Sequence, residues 1–225
     1  MKLARFFRVA AILLALELVV SAWGLAQVGW AATVPIHWGP DGSPNGYGPA
    51  WLGFLLVPAI TVGLAAMFAA IPAIEPRRDN LLRSASAYRT VAVAVTVLMF
   101  GVHVVVVVAG TGRDAPVALV VGGGVGLLFA AIGNVMSTVR SNYMFGVRTP
   151  WTLSSDVSWD KTHRLVGRLF VASGIGIAAA SLFGLMQLVI WLLVGSVTIV
   201  LVVAFAYSYV VWRNDPNRRP TSGPM

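Results

Sequence analysis

The chain has 225 residues, of which 58% are apolar and only 11% are charged, and its mean hydropathy is +0.82. Soluble domains contain about 25% charged residues, so this composition excludes an ordinary soluble domain. The net charge of +8 does not indicate direct nucleic-acid binding, because the basic residues are scattered between apolar blocks. The absence of cysteine excludes disulfides, thiolate metal sites and a cysteine nucleophile. Composition therefore predicts a polytopic membrane protein.

Six apolar blocks are long enough to cross a bilayer, which takes about 20 residues. They predict an all-α fold, a membrane bundle of six transmembrane helices. The last two blocks are separated by only a brief dip near Gly184 and Gln187, but together they are too long for one span, so they predict a tight helical hairpin. The predicted spans are 9–32, 51–74, 88–110, 115–136, 165–185 and 188–212.

Basic residues predict the orientation of these spans. Only Arg113 lies on one side of the predicted bundle, and every other lysine and arginine lies on the opposite side, from Lys2 to Arg219. Because short loops rich in Lys and Arg are retained in the cytoplasm, both termini are predicted to be cytoplasmic in a multi-pass cell-membrane protein. The first span begins like a signal peptide, but its apolar run is too long and contains Glu17, so we expect an uncleaved anchor.

The chain divides into three predicted parts. Residues 1–75 form an N-terminal two-helix domain with an extracellular loop rich in Pro, Gly and Trp, and residues 76–212 form a four-helix domain with a cytoplasmic loop at 137–164. Residues 213–225 form a cytoplasmic tail. Since long loops often carry function, these two loops are the places to look for it.

The extracellular loop at 33–50 reads TVPIHWGPDGSPNGYGPA. Its Asp-Gly and Asn-Gly pairs and its four prolines predict stacked tight turns, with Trp30, Trp38, Tyr47 and Trp51 resting at the headgroup level. His37 and Asp41 are too few to form a structural metal site, so we expect no metal and predict that His37 is a hydrogen-bonding loop residue. The candidate residues of this loop are Pro35, His37, Trp38, Asp41, Gly42, Gly46 and Tyr47.

The cytoplasmic loop is polar and aromatic in alternation. Thr149 precedes a proline and is predicted to be extended, while Ser155 is predicted to cap a helix that runs into the fifth span. Two interpretations remain open. The loop could be an interfacial segment, with Trp151 and Trp159 at the headgroups and its arginines at lipid phosphates, or it could be a docking surface for a partner.

The two loops together resemble a known pair of domains. The segment PIHWGPDGSPNGYGPAW after a first membrane helix resembles a domain of unknown function that precedes the SdpI-type immunity domain in many bacterial membrane proteins. The cytoplasmic loop is similar to the signature of the SdpI immunity family itself. The residues that carry the second resemblance are Asn142, Gly146, Arg148, Thr149, Pro150, Trp151, Thr152, Leu153, Trp159, Thr162, His163, Arg164 and Gly167.

The resemblance implies an integral membrane protein that protects a bacterium from a secreted, membrane-active killing peptide. It further implies a receptor role, in which the protein draws a small autorepressor to the membrane. The implied partners are membrane lipid, a toxin peptide outside and a small helix-turn-helix repressor inside. No cofactor is implied, and the signature residues of the cytoplasmic loop are the candidate binding residues.

Two ionisable residues, Glu17 and His103, fall within predicted spans. Ala10, Ser21 and Gly24 share a helical stripe with Glu17, so this small-residue face is predicted to pack against another helix. The rise per residue leaves an offset of about 9 Å between the two groups, so a direct pair needs tilt or water. A proton relay or cation path would make the protein a small transporter or channel; alternatively, neighbouring helices satisfy both groups.

An enzymatic role is not expected. His163 with Asp160 is the only visible catalytic candidate, and no nucleophile with an activating base accompanies it. The glycines of the fourth and fifth spans predict close helix packing and not a phosphate-binding loop, because no strand precedes them. The small residues on these predicted packing faces are Gly122, Gly126, Ala130, Gly133, Gly174, Ala178 and Ser181.

Overall fold

The computed structural model describes residues 3–218 and confirms the predicted all-α bundle with six helices of membrane-spanning length. The protein is therefore a multi-pass membrane protein. Lys2 and Arg219, used in the orientation argument, lie outside the described residues. The elements in chain order are α1 (Ala4–Val28), β1 (Thr33–Trp38), β2 (Pro44–Pro49), α2 (Ala50–Ile74), α3 (Arg78–Arg83), α4 (Ala85–Gly110), a π-helical segment (Ala118–Gly122), α5 (Gly123–Met136), α6 (Pro150–Ser154), α7 (Asp156–Leu182) and α8 (Met186–Arg213).

The helices pack in two groups that share one boundary. Helices α1, α2 and α4 contact one another, α5 and α8 both pack on α7, and α4 joins the groups through α5. Helix α4 therefore packs with α1 and α2, although the sequence places it in the second domain. The division of the chain at residue 75 stays a prediction.

Glycines bring α5 and α7 into backbone contact, as their spacing predicts. A Cβ atom at Gly133 would lie 2.5 Å from the Gly167 carbonyl oxygen, and one at Gly126 would lie 2.6 Å from the Ala178 nitrogen. Neither distance is compatible with a side chain. Because lipid tails are as apolar as the helices, such close packing is a main source of helix association in membranes. The predicted packing role of these small residues is confirmed.

The extracellular loop forms a β-hairpin instead of the predicted stack of turns. Strands β1 and β2 pair antiparallel from Thr33 opposite Pro49 to Trp38 opposite Pro44, with an irregularity around His37. The Asp41-Gly42 turn itself is present, and Gly42 has a φ of 81°. The stacked-turn prediction is wrong because Val34, Ile36 and Trp38 alternate and pack together on the ends of the helices, which favours a strand.

The bundle has two chemically different ends. We call the end that carries the hairpin the hairpin end, and the end formed by residues 75–84, 137–155 and 214–218 the basic end. An even number of spans places both ends of the described chain at the basic end. That the basic end faces the cytoplasm stays a prediction from the charge distribution.

Candidate functional site at the basic end

The loop of residues 137–155 folds over α3 and the adjoining ends of α2, α7 and α8. Its predicted local features are present. Thr149 is extended, with φ −97° and ψ 161°, and forms a capping box with Thr152 at the start of α6. The Ser155 hydroxyl accepts a hydrogen bond from the Ser158 N–H at 2.9 Å and caps α7 at the predicted position.

The carboxylate of Glu75, just after α2, is an anchor of this loop. Glu75 is only 4% exposed, and its oxygens accept hydrogen bonds from three backbone N–H groups. These donors are Arg77 at 2.8 Å, Tyr143 at 3.1 Å and Met144 at 3.0 Å. Hydrogen bonds to charged acceptors are roughly twice as strong as neutral ones. Glu75 therefore fixes the backbone of the loop to the end of α2.

Asn142 fixes the following turn through both ends of its amide. Its Oδ1 atom accepts from the N–H groups of Met144 at 3.0 Å and Phe145 at 2.7 Å. Its Nδ2 atom donates to the carbonyls of Arg140 at 2.8 Å and Phe145 at 3.0 Å. An aspartate could replace only half of these bonds, because a carboxylate accepts but does not donate.

Arg77 ties the loop to the segment between α2 and α3. Its guanidinium donates to the Ser141 hydroxyl, to the Leu153 carbonyl at 3.1 Å and to the Tyr143 hydroxyl at 3.3 Å. It also lies 4.7 Å from the centre of the Tyr143 ring. Glu75 and Arg77 were not among the site residues predicted from the sequence. An acidic residue directly after a span, two positions before an arginine, was the available signal.

Trp159 and His163 lie beneath the loop, inside the bundle. Trp159 is 1% exposed, its Nε1–H donates to the Val139 carbonyl at 2.7 Å, and its ring stacks on His163 at 4.0 Å. This burial contradicts the interfacial interpretation for Trp159, because the Val139 carbonyl supplies the acceptor that a buried indole N–H requires.

Both ring nitrogens of His163 are engaged. Nδ1–H donates to the Trp159 carbonyl at 2.9 Å, and Nε2 accepts from the Val147 N–H at 3.0 Å. Neither nitrogen is left to take a proton from a substrate, so His163 serves as a structural group. Gly146 crosses directly above, with a φ of 111°, and a Cβ atom there would lie 2.5 Å from Nε2. Both the dihedral angle and the space require glycine at this position.

Hydroxyl groups connect the loop to α8. Thr149 Oγ1 donates to Ser208 Oγ at 3.0 Å, and Ser158 Oγ donates to the Ser208 carbonyl at 2.8 Å. Trp151 is half-buried and packs edge-on against Phe205 and Tyr209, with centroid distances of 4.6 and 5.1 Å. Trp151 thus contacts α8 and lies partly open at the surface. Another signature residue, Thr162, is buried and its hydroxyl has no partner among the described residues.

Three residues of the predicted signature remain exposed: Arg148, Pro150 and Arg164. Arg148 donates to the Tyr143 carbonyl at 2.6 Å and stands at the edge of an apolar cavity of about 430 Å³. That cavity lies under residues 145–149 and is walled by Val91, Met136 and Val200, among others. The signature therefore separates into a buried or half-buried majority that builds the loop and an exposed minority that can contact a partner.

Asp215, in the segment that follows α8, connects that segment to the start of α7. Asp215 accepts a hydrogen bond from the Ser155 hydroxyl at 2.6 Å and another from the Asn217 N–H at 2.9 Å. The Ser155 hydroxyl, the Asn217 N–H and the nearby positive charges of Arg218 and Lys161 hold the pKa of Asp215 below its usual value. The ionised form of Asp215 therefore joins the start of α7 to the end of α8.

His37 and Asp41 each form a hydrogen bond within the hairpin, with different partners. His37 Nδ1 lies 2.5 Å from Asn45 Oδ1, which confirms the predicted hydrogen-bonding role. Asp41 accepts from the Ser43 N–H at 3.0 Å, and this bond lowers the pKa of its carboxyl group. Within residues 3–218, no three His, Cys, Asp or Glu residues cluster as metal ligands.

The aromatic residues near the hairpin divide into two groups. Trp30 and Tyr47 are each 60% exposed and Trp51 is 41% exposed. Trp38 is half-buried and packs onto the cluster around Val34, and its headgroup position stays a prediction. Of the remaining candidate residues in this loop, Pro35 lies within β1, Gly42 is in the turn, and Gly46 packs against His37.

Glu17 and His103 are both fully buried and belong to one polar cluster, as their predicted inward orientation requires. They do not pair through their charged atoms. His103 Nε2–H donates to the Glu17 backbone carbonyl at 2.9 Å, and the Glu17 carboxyl receives a hydrogen bond from Thr61 Oγ1 at 3.0 Å. Ser21 lies between them, 3.1 Å from His103 Nε2. Glu17 Oε2 and His103 Nδ1 have no partner among the described residues.

The fold and the basic-end site define a class: a six-span helical membrane protein whose internal loop is fixed by buried backbone hydrogen bonds. Comparison with known proteins finds two domain families that the chain matches. Residues 138–208 match the SdpI/YfhL protein family, and residues 12–62 match a domain of unknown function, DUF1648. These matches confirm the family resemblance predicted from the two loops.

A curated relative agrees with this assignment. The chain is 28% identical over 113 residues to Immunity protein SdpI of Bacillus subtilis (strain 168). The aligned part covers 50% of this chain and 54% of that protein, so the chain spans about half the length of this relative. No solved structure matches the chain.

Proposed function

We propose that this protein is a membrane immunity protein that protects a bacterium against a secreted membrane-active peptide. The observation that carries the proposal is the similarity to Immunity protein SdpI, together with the SdpI/YfhL match over residues 138–208. That match covers the basic-end loop and the two helices that support it. The proposed role is binding, and His163, the best catalytic candidate from the sequence, has both ring nitrogens hydrogen-bonded to backbone groups.

The hairpin end is the proposed contact region for the peptide, since a peptide arriving from outside meets this end first under the predicted orientation. Exposed Trp30 and Tyr47 give this end an aromatic surface at headgroup depth. The hairpin is held rigidly, because Val34 is 1% exposed and packs against Phe54 and Val107. A fixed surface of this kind would bind a partner without first having to be ordered.

The basic end is the proposed docking surface for a cytoplasmic partner, a small helix-turn-helix repressor. Arg148 is exposed, its guanidinium is oriented by one hydrogen bond to the loop backbone, and Trp151 lies partly open beside it. Arg and Trp are the residue types most enriched at binding hot spots. The buried network below them holds these two side chains in place.

Expression in a sensitive strain tests immunity directly. Cells that lack the protein would be challenged with the membrane-active peptides of neighbouring bacteria, with and without the gene supplied in trans. We expect the gene to restore survival against at least one peptide. Unchanged survival against every peptide tested would contradict the proposal.

Two matched pairs of variants test the docking surface. We expect Arg148→Ala and Trp151→Ala to abolish recruitment of a fluorescent repressor to the membrane, while Arg78→Ala and Trp191→Ala do not. Arg78 and Trp191 are exposed residues of the same types outside the loop. Membrane insertion is measured alongside by fractionation. Normal recruitment in both loop variants, with normal insertion, would exclude this surface and leave the immunity proposal to the survival assay.

The buried polar cluster favours a second candidate function, a proton- or cation-coupled transporter or channel. Glu17 and His103 are fully buried in the membrane bundle, where ionisable residues often mark a conduction path. Neither residue lines any of the five best-defined cavities within residues 3–218, which disfavours this candidate. Proton and cation flux into proteoliposomes would decide: unchanged flux in Glu17→Gln would exclude the relay.

A further inference from the structure

A groove between α5 and α7 has the features of a lipid-binding site. It has a volume of about 550 Å³. Its upper part, toward the basic end, is polar and basic, and its lower part, toward the middle of the bundle, is apolar. The residues of the upper part are Asn134, Ser137, Arg164 and Arg168, and those of the lower part are Gly133, Gly167, Val171, Ala172 and Ile175.

Gly133 and Gly167 lie in the wall of the groove, at the point where the two helices come into backbone contact. Since α5 and α7 run antiparallel, residues after Gly133 lie opposite residues before Gly167. Ser137 at the end of α5 is therefore level with the region of Arg164 on α7. The polar groups of the two helices meet at one depth.

That depth corresponds to the lipid headgroups. Helix α7 has 27 residues, or about 40 Å of length at 1.5 Å per residue, whereas the hydrocarbon core is about 30 Å thick. Counting back by about 30 Å from the exposed end at Leu182 reaches the neighbourhood of Arg164. Arg168 lies one turn deeper, and a long arginine side chain can extend from there to the interface.

The two guanidinium groups are available for a ligand. Arg164 and Arg168 are exposed and one helical turn apart, so their side chains lie on the same face. Both residues also line the groove, so their guanidinium groups are accessible from outside the helix pair. Arginine binds phosphate oxygens in a bidentate manner, and the Ser137 hydroxyl and Asn134 amide add further donors.

We propose that this groove binds one anionic glycerophospholipid, with the phosphate held between Arg164 and Arg168 and an acyl chain lying along Val171, Ala172 and Ile175. The apolar lower part favours an intact lipid over free phosphate, because Ile175 is 61% exposed on the membrane face and needs an apolar neighbour. Basic pockets between helices at the cytoplasmic side commonly bind anionic headgroups.

Native mass spectrometry of the full-length protein from lipid–detergent mixtures tests the site. Phosphatidylglycerol and phosphatidylcholine of equal chain length are supplied together. We expect the protein to retain phosphatidylglycerol selectively. In Arg164→Gln/Arg168→Gln the apparent affinity should fall by about 30-fold, or roughly 5-fold for each charge removed.

The matched control is Arg78→Gln/Arg213→Gln, which removes two exposed charges from the same end but outside the groove. It should retain phosphatidylglycerol like the wild type. Equal losses in both double variants would show a general charge effect and overturn the proposal. Equal retention of phosphatidylcholine, or complete displacement of the lipid by glycerol phosphate, would also overturn it.

Ala172→Phe blocks the apolar part of the groove without changing its charge. Ala172 is exposed to lipid, so the larger side chain is accommodated without disturbing the core. We expect loss of the retained lipid with unchanged helical content by circular dichroism. Retained lipid in a folded Ala172→Phe protein would place the acyl chain elsewhere and contradict the proposed pose.

Discussion

Two buried glutamates end in opposite chemical situations in this protein. Glu75 at the basic end receives hydrogen bonds from three backbone N–H groups. Glu17 within the bundle receives one from a threonine hydroxyl, and its other carboxyl oxygen has no partner among residues 3–218. Burying a charge is costly unless hydrogen bonds replace its hydration. Glu75 therefore has three backbone donors in place of the water it loses on burial, whereas Glu17 has a single hydroxyl donor.

The largest expected effect is at Glu75. Glu75→Gln removes the charge and turns an amide N–H₂ toward backbone donors, so at least one buried N–H loses its acceptor. We expect a loss of about 3 kcal/mol in unfolding free energy. Thermal or denaturant unfolding in detergent measures it, and limited proteolysis should cut first within residues 137–155.

A matched substitution at Asp79 provides the control for Glu75. Asp79 is exposed in the adjacent helix α3, and Asp79→Asn removes an equal charge at the same end. The unfolding free energy of Asp79→Asn should differ from that of the wild type by less than about 0.5 kcal/mol. If Glu75→Gln were no more destabilising than this control, Glu75 would not be the anchor that its hydrogen bonds suggest.

A smaller effect is expected at Glu17. Glu17→Gln keeps the shape of the side chain and the acceptor for the Thr61 hydroxyl, so unfolding free energy should change by less than about 1 kcal/mol. The same unfolding assay applies. A loss as large as that in Glu75→Gln would contradict the contrast between the two glutamates.

The smallest expected effect concerns Asp215, and it depends on pH. Because the folded-state pKa of Asp215 is depressed, its stabilising contribution is present above the unfolded-state pKa of about 3.9 and is lost as the pH falls through the lower folded-state value. Between pH 6 and pH 2.5, the unfolding free energy of the wild-type protein should therefore fall by more than that of Asp215→Asn. Parallel pH curves for the two proteins would show that Asp215 contributes nothing at neutral pH.

Hydropathy and small-residue spacing predicted most of the fold. The six spans, the Ser155 cap, the extended Thr149 and the α5–α7 glycine contact all follow from local sequence, because the membrane requires continuous apolar helices and close packing requires residues without side chains. Helix ends differ by several residues at α1 and α7. The hairpin was missed, since its turn signals obscured the short alternation of Val34, Ile36 and Trp38.

The sequence predicted which loop forms the candidate site, but not which residues of that loop are buried or which distant residues anchor it. Resemblance selected the loop, but a pattern of residue types does not say which members are buried. Trp159 and His163 belong to the support of the loop, and Arg148 to its surface, only because α7 and the loop backbone cross at Gly146. Glu75 and Arg77 lie more than 60 residues before their loop partners, and no local pattern connects them.

The sequence by itself determined that this protein spans a membrane six times, which loops are long, and which family they resemble, because apolar length, charge asymmetry and motif order are local properties of the chain. Only the tertiary structure decided which polar groups are satisfied. It gave Glu75 three backbone donors and Glu17 one hydroxyl, and it left Arg164 and Arg168 beside an open groove. Hydrogen-bond partners distant in sequence are set by how the helices pack.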